Sequence, residues 1–422
     1  MFKPHHRLFA AAFLFDFAMV CGLTASPFYI FNVLHGQAGM SGVITGLQWG
    51  LYALVSLVSA QYVGKLSNGL IMALIGGTGF AILFPLGVAI PNPYFYAVFT
   101  TIGMMCPALY WPATQSWIGA EPDPKTRTKR LAIYNVSWTL GLTCAPFATW
   151  LLSPIDYRLP FLATAIAAGG AVAFIASLPH ESLMMAPDAA ETRARNTEHT
   201  KRSEAHLFTA WFSLLLGSTL FTAVTAVFSY RMEELVKAGA LFFVKSADGI
   251  QLTAEPVVYF SGLAVILNAG RAGASLIMGR THVWQHRFWV LLLFQAGAAA
   301  AFWVLSFSTS LAVMASCCAV VGTATGVCFF ASQAYSVVDP LKKHQRVAIH
   351  EGMVGLGCLL GAIGFGLLAD WRETPWPFAN TPYFVAVGLL CEAVLLRIGF
   401  HAVRHKASAK ETSQEPYAPH SS

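Results

Sequence analysis

The sequence predicts an all-α membrane protein whose twelve transmembrane helices form two pseudo-symmetric six-helix bundles. Apolar residues make up 56% of the 422 residues, and charged residues make up only 11%. The apolar residues gather in runs of about 20, which is the length that a helix needs to cross the hydrocarbon layer of a bilayer. A soluble protein of this size could not cover its surface with so few charged side chains.

An internal repeat predicts that the two bundles are related. Residues 123–141 and 339–357 are identical at seven of nineteen positions when they are aligned at a constant offset of 216. Unrelated segments of this length would share about one position, so the similarity indicates a duplication. Just upstream, TQSW at 114–117 aligns with SQAY at 332–335 after a shift of two residues.

Each half of the chain contains six apolar segments. In the N-terminal half they lie near 8–33, 42–63, 70–90, 95–118, 131–153 and 160–178, and in the C-terminal half near 207–230, 257–279, 288–308, 310–335, 347–369 and 382–402. We expect helices, because lipid offers no partner for the amides of an isolated strand and the runs lack the alternation of a β-barrel. The predicted bundles are therefore residues 1–178 and 207–402.

The basic residues predict that both termini are cytoplasmic. In this orientation twenty of the 26 Lys and Arg residues lie on the cytoplasmic side and one, Arg271, lies within a span. The other five lie outside: Arg158, Arg231, Lys237, Lys245 and Arg372. Residues 179–206 then form a cytoplasmic linker with helix in its second part, and 403–422 form a cytoplasmic tail. Residues 231–255 form an exterior loop, in which Gly239 ends a helix and a hairpin turns at Asp248.

Charged residues inside the apolar segments are the first functional candidates. A charged side chain at the centre of a transmembrane helix costs roughly 2.5–3.5 kcal/mol on insertion scales. Asp16 and Arg271 each lie about 12 Å from the cytoplasmic boundary, a depth at which they can pair. Asp16 and Glu351 are titratable, so they are predicted to take up and release protons within the membrane. The alternatives are that Asp16 fixes helix packing, that the charge of Arg271 is only neutralised structurally, and that Glu351 snorkels to the membrane edge without a role. No role is assigned to Glu392.

Polar and aromatic side chains recur on one face of several helices and predict a central cavity. Spacings of three, four and seven residues place each set on a single face, which must turn towards other helices or water. The predicted cavity residues are Gln48, Tyr52, Trp111, Gln115, Asn135, Trp138, Asn268, Arg271 and Gln333. Hydrogen bonding between helices without solvent is the alternative for each of them.

The repeat also predicts a gate at the cytoplasmic edge. Its alignment pairs Arg130 with Arg346 and Asn135 with Glu351, and Glu351 is expected about one turn into the eleventh helix. The predicted gate residues at these positions are Arg130, Arg346 and Glu351. The eight cysteines lack metal-ligand spacing, so we expect reduced packing residues and no metal site.

The chain resembles the major facilitator superfamily over nearly its whole length. The resemblance rests on six plus six spans, the polar linker, the repeat, and part of the superfamily's loop motif G-x-L-[AS]-[DN]-R-x-G-R. Gly64, Leu66, Ser67 and Asn68 match this motif, which then departs at Gly69. The resemblance implies that this loop lies beside the start of the eleventh helix, so Gly64 and Asn68 are also predicted gate residues. Gly141 and Ala145-Pro146 resemble part of the glycine-proline motif of antiporters. The resemblance implies alternating access, with the first, fourth, seventh and tenth helices around the centre and the second, fifth, eighth and eleventh at the bundle interface.

These observations predict a secondary transporter, and not an enzyme, that moves a small molecule across the inner (plasma) membrane of a bacterial-type cell. Proton coupling is expected, with efflux of amphipathic compounds or uptake of a small organic acid or sugar as the alternatives. A non-transporting sensor on the same fold is the alternative from another class. The expected partners are the substrate, protons and the lipid bilayer, without nucleic acid or a cofactor, and we expect a monomer.

Overall fold

The computed structural model describes residues 4–59, 69–118, 124–178, 198–243, 254–281, 283–339, 342–371 and 381–412. These residues form helices and short connections. The predicted loop motif around Gly64 and Asn68, the first part of the linker, the hairpin around Asp248 and the end of the tail lie outside the described residues. Phe242 and Ser310 form an isolated parallel β-bridge.

Seven α-helices make up the N-terminal half. They are α1 (Pro4–Asn32), α2 (Ala38–Ser59), α3 (Gly69–Leu86), α4 (Pro93–Met105), α5 (Pro107–Ile118), α6 (Pro124–Leu152) and α7 (Leu159–Ala176). The fourth predicted span is divided into α4 and α5 at Cys106. Pro107 has no backbone N–H, so it cannot continue the ladder of hydrogen bonds.

The described residues of the C-terminal half also form seven α-helices. Its helices are α8 (Glu198–Thr222), α9 (Phe228–Lys237), α10 (Pro256–Arg280), α11 (Phe288–Phe307), α12 (Leu311–Ser336), α13 (Lys343–Trp371) and α14 (Thr381–Thr412). A π-helical turn, Ala223–Val227, joins α8 to α9 and makes them one continuous helix. Because α8 begins at Glu198, residues 198–206 of the predicted linker are helical. Gly239 follows α9 with φ at 61°, a conformation that glycine adopts without strain.

Among the described residues, nine helical segments are long and apolar enough to cross a membrane. They are α1, α2, α3, α7, the continuous helix from α8 to α9, α10, α11, α12 and α13. The pair α4 and α5, together with α6 and α14, completes the twelve predicted spans. The protein is therefore an all-α membrane protein, as its composition predicts.

Two helix pairs form most of the boundary between the halves. Helix α2 packs along α13, and α6 packs along α10. The remaining large contacts lie within one half, for example between α1 and α6 or between α10 and α12. The arrangement consists of two bundles whose interface is built by the second, fifth, eighth and eleventh spans.

Candidate functional site

A cavity lies between the two bundles, and the space between its atoms, including the part open to solvent, is about 770 Å³. The cavity is lined by α1, α2, α5 and α6 from the first half and by α8, α10, α12 and α13 from the second. On seven of these helices the lining residues recur at spacings of three or four, so one face of each is turned inward, and α10 contributes one residue. They are Asp16, Met19, Val20, Leu23, Trp49, Tyr52, Trp111, Gln115, Trp138, Leu142, Leu214, Ser218, Phe221, Arg271, Thr325, Phe329, Glu351, Val354 and Cys358.

The cavity is closed at the end where α1 finishes. There the Ser41 hydroxyl donates to the Ala226 carbonyl oxygen over 3.3 Å, which joins α2 to the π-helical turn. The rings of Phe28 and Phe260 lie 5.6 Å apart and close α1 onto α10. Contacts between the two halves therefore separate the cavity from this side of the molecule.

Asp16 lies in the wall formed by α1 and is only 3% exposed. Its Oδ2 atom is buried and has no hydrogen-bond partner among the described residues. A buried carboxyl oxygen without a donor costs free energy, because it has given up its bonds to water. This oxygen therefore needs a donor from a proton, a substrate or another conformation of the wall.

Arg271 brings a positive charge to the same cavity from α10. Its guanidinium carbon Cζ lies 4.6 Å from the ring centroid of Phe329, 5.1 Å from that of Phe221 and 5.2 Å from that of Trp138. The electron-rich faces of the three rings stabilise the cation. In the described part of the chain, Arg271 and Asp16 line one cavity but form no ion pair, and Arg271 Nε has no acceptor.

Glu351 connects the two bundles across the cavity. Its carboxylate accepts a hydrogen bond of 2.5 Å from the Tyr52 hydroxyl and one of 2.7 Å from Gln115 Nε2. Glu351 belongs to α13, whereas its donors belong to α2 and α5, so both bonds cross the boundary between the halves. Hydrogen bonds to a charged group are the stronger ones in proteins, at about 1.5–3 kcal/mol each.

The position of Glu351 differs from the sequence expectation. The sequence predicts it one turn into its helix at the cytoplasmic edge, but α13 begins at Lys343, eight residues earlier. Those eight residues advance the helix by about 12 Å, which carries the carboxylate into the cavity wall. The apolar pattern of the sequence does not show where α13 begins, because the first turn of α13 is polar and resembles a loop.

The other described gate residues lie outside the cavity wall. Arg346 donates to Glu204 over 2.9 Å and lies 3.4 Å from Asp339, so it joins α13 to α8 and to the end of α12. Arg130 is half-buried in the second turn of α6. The gate assignment remains a prediction for both.

Five of the nine predicted cavity residues line the cavity: Tyr52, Trp111, Gln115, Trp138 and Arg271. Gln48, Asn135, Asn268 and Gln333 do not, because each is directed at a neighbouring helix.

Two of these four residues bond to neighbouring helices. Gln48 Nε2 donates to the Thr100 hydroxyl over 2.8 Å, and Asn268 Nδ2 donates to the Leu142 carbonyl oxygen over 3.1 Å. These are the contacts between helices that polar residues in a membrane also make.

Asn135 and Gln333 bond to each other and support a residue that does line the cavity. Asn135 Nδ2 donates to Gln333 Oε1 over 2.9 Å, and Trp138 Nε1 donates to Asn135 Oδ1 over 2.8 Å. Trp138 is one of the rings around Arg271. The amide pair therefore fixes the orientation of that ring, although neither amide lines the cavity.

The internal repeat appears as duplicated contacts around the cavity. Gln115 and Gln333 are aligned in the repeat, and Gln115 bonds Glu351 while Gln333 bonds Asn135, the residue aligned with Glu351. In the same way Thr114 bonds Tyr134 over 3.1 Å. The aligned residues Ser332 and His350 bond over 2.8 Å. Equivalent pairs on equivalent helices are what a pseudo-twofold relation of the bundles requires.

Several residues of the site and its surroundings are not apparent in the sequence. Phe221 and Phe329 are apolar, so nothing in their type separates them from packing residues, although Phe329 lies one turn before Gln333. Glu392, which has no role assigned from the sequence, accepts a 3.1 Å hydrogen bond from Gln295 Nε2 behind the cavity wall. Among the described residues, no group of three or more His, Cys, Asp and Glu side chains is arranged to hold a metal ion.

Comparison with known proteins identifies the family. A model described as Major Facilitator Superfamily matches residues 8–348. The chain belongs to this superfamily. It is therefore a membrane transporter and not an enzyme, as the two-bundle architecture indicates.

The relatives of this superfamily member agree with the assignment. YfkF, an uncharacterized MFS-type transporter of Bacillus subtilis strain 168, is 24% identical over 290 residues, 68% of each protein. A POT family transporter solved with a thioalcohol-conjugated peptide has a TM-score of 0.71 at 12% identity, covering 94% of this chain and 96% of that one. The human organic anion transporter MFSD10 has a TM-score of 0.64 at 12% identity, covering 94% and 100%. At such low identity the two structures show the fold alone.

Proposed function

We propose that this superfamily member is a proton-coupled secondary transporter that carries a small molecule across a bacterial plasma membrane by alternating access. The observation that supports the proposal best is the placement of Asp16, Arg271 and Glu351 in one cavity between the two bundles. A site at the bundle interface is where rocking of the halves can expose a bound molecule first to one side and then to the other. The Bacillus relative supports the choice of membrane.

The two carboxyl groups are assigned different parts in coupling. Glu351 holds the halves together through Tyr52 and Gln115, so a proton on Glu351 weakens that link and frees the bundles to move. Asp16 has an oxygen without a donor among the described residues and lies in the same cavity as Arg271. When the halves move, Arg271 approaches either Asp16 or the substrate, which links protonation of Asp16 to occupancy of the site.

Gradient-driven flux in proteoliposomes tests this proposal. Purified protein is reconstituted, a pH gradient is imposed, and a panel of radiolabelled organic acids, sugars and amphipathic cations is screened for flux, with an internal pH dye to follow protons. We expect flux of a panel member together with proton movement, and the sign of the proton signal gives symport or antiport. Flux that does not depend on the pH gradient would contradict the proposed proton coupling. Binding without any flux would support the non-transporting sensor.

The matched control for loss of a carboxyl group is Glu392→Gln. Glu392 is fully buried in the second bundle but does not line the cavity, and Gln295 Oε1 beside it lacks a donor among the described residues. The amide of a glutamine can supply that donor, so we expect Glu392→Gln to fold and transport like the wild type. Asp16→Asn and Glu351→Gln are each expected to lose coupling under the same conditions.

A further inference from the structure

We propose that the substrate is a small organic anion, namely a monocarboxylate with an apolar and preferably aromatic body, whose carboxylate binds the guanidinium of Arg271. The inference rests on the proposed transport function and names the class of molecule that this cavity accepts. Arg271 has a buried Nε atom, three aromatic neighbours and no acceptor among the described residues.

A guanidinium has five N–H donors arranged in a rigid planar fork. In the described part of the chain, Arg271 donates none of them to a protein acceptor, and its Nε is buried. A buried arginine normally satisfies these donors with carboxylates or carbonyl oxygens, because leaving a charged donor unbonded is costly. The fork of Arg271 is therefore available to an acceptor that enters the cavity.

The aromatic rings stabilise the charge without using the fork. Phe329, Phe221 and Trp138 lie with their centroids 4.6, 5.1 and 5.2 Å from Cζ, and a ring face offers no lone pair to an N–H. The plane of the guanidinium therefore keeps its donors for an oxygen ligand. A carboxylate fits that fork with two parallel hydrogen bonds, which a sugar hydroxyl or an amide cannot match.

The charges in the cavity also favour an anion. Guanidinium groups keep their proton in proteins, so the positive charge of Arg271 is permanent. The two negative charges do not compete for Arg271: the charge of Glu351 is already stabilised by bonds from Tyr52 and Gln115, and Asp16 becomes neutral when it carries the coupling proton. An anion that enters together with that proton leaves the cavity no more charged than before.

The rest of the wall selects an apolar body for this anion. Val20, Leu23, Trp49, Leu214 and Val354 line the cavity with hydrocarbon and aromatic surface. Burying such surface stabilises a bound apolar group by about 25 cal/mol per Å². A hydrophilic dicarboxylate would leave its second charge against this wall without a partner, so a single carboxylate is favoured.

Equilibrium binding with three probes of nearly equal shape tests the inference. Purified protein at fixed pH and without a gradient is titrated with 3-phenylpropionate, with its neutral amide, and with 3-phenylpropylamine, and intrinsic tryptophan fluorescence reports occupancy. We expect the acid to bind at least about tenfold more tightly than the amide, as a charge-assisted fork predicts, and the amine to bind weakest. Equal binding of the acid and the amide, tighter binding of the amine, or no binding of any probe to folded protein would overturn the inference.

Substitutions of Arg271 test whether this residue binds the carboxylate. Arg271→Gln is expected to remove the preference for the acid over the amide, and Arg271→Lys is expected to keep part of it, since lysine retains the charge but lacks the fork. The matched control is Arg397→Gln, which removes an exposed arginine of α14 and should change nothing. Retention of the full acid preference in Arg271→Gln would exclude this arginine as the anchor.

This test is separate from the test of transport. Binding in detergent does not depend on a gradient. Failure of the binding test alone would therefore contradict the proposed substrate class without contradicting proton-coupled transport. Conversely, acid-selective binding with no flux would support the anion site and reject the transport proposal.

Discussion

Asp16 and Glu351 are two carboxyl groups in one cavity wall with different surroundings. Glu351 receives a hydrogen bond from each of two neutral donors, whereas the Oδ2 atom of Asp16 receives none from the described residues. A carboxyl group without fixed donors is free to exchange a proton or an ion partner as the cavity changes shape. The two residues should therefore respond differently when their charge is removed.

Replacing Asp16 by Asn should uncouple transport from the pH gradient. One pH unit is worth about 1.4 kcal/mol per proton, so a carrier that couples one proton can accumulate its substrate about tenfold. Asp16→Asn cannot carry the proton, and we expect an accumulation ratio near one while exchange of labelled for unlabelled substrate continues. Flux in proteoliposomes measures both quantities. If the variant accumulates substrate like the wild type, Asp16 is a packing residue.

Replacing Glu351 by Gln should shift the balance between inward-facing and outward-facing states. The new amide would keep the shape of the side chain, and it could still accept from Gln115 and donate to the Tyr52 hydroxyl, which can accept as well as donate. Both bonds between the halves would lose their charged acceptor, which lowers each from about 1.5–3 kcal/mol to about 0.5–1.5 kcal/mol. Spin labels at opposite ends of the bundles report the populations by their distance distributions. Distributions identical to those of Glu392→Gln would exclude a gating role.

The residues of the site are predictable only where polarity is the signal. Tyr52 and Gln115 can be placed on inward faces from their spacing, because a polar group in lipid must find a partner. The same argument cannot separate a partner in the cavity from one on a neighbouring helix, so it does not show that Gln48 and Asn268 bond to neighbouring helices. The role of Phe329 cannot be predicted from the sequence, because its residue type does not separate it from a packing residue. Only its contact with Arg271 in the structure does so.

At the scale of helices, the close approach of α2 to α13 depends on small residues. A Cβ added at Gly42 would lie 2.5 Å from the Ala362 carbonyl oxygen and 2.9 Å from the Cα of Gly366. One at Gly355 would lie 2.9 Å from the Trp49 carbonyl oxygen. Backbones in such contact can slide past one another without rearranging side chains. The number of glycines in α13 is apparent in the sequence, but their partner helix is not.

Gly42→Ala should open the closed end of the bundles. The new methyl group overlaps backbone atoms that cannot turn away, so the helices must separate, at a cost of about 1–3 kcal/mol typical of overpacking. We expect faster hydrogen–deuterium exchange in the first turns of α2 and the last turns of α13. The matched control is Gly364→Ala on α13, because a Cβ there meets no atom of the described residues within 4 Å. Equal exchange in both variants would show that this contact does not hold the end closed.

At the scale of the whole molecule, the repeat explains more of the architecture than any single motif. Gly141 and Gly357 are aligned at the offset of 216. A Cβ at Gly141 would overlap the backbone of Phe13 in α1, and one at Gly357 would overlap that of Leu215 in α8. Each half therefore packs its fifth span on its first span through the same glycine. The duplication is visible in the sequence, but the sequence does not show how the two halves differ in function. Only the structure shows that Glu351 lines the cavity while the aligned residue Asn135 does not.

The orientation of the molecule is the remaining prediction at this scale. Lys and Arg near the ends of spans resist transfer across a membrane, so the side with twenty of the 26 basic residues should be cytoplasmic. A fluorescent protein fused after residue 422 should then fold and fluoresce, and so should one inserted in 179–197. Alkaline phosphatase, which needs the oxidising exterior, should be active only when it is inserted near residue 250 or in the turn at 153–158. Phosphatase activity at the C-terminus would reverse the topology. It would also move the closed end of the cavity, where Ser41 meets Ala226, to the cytoplasmic side.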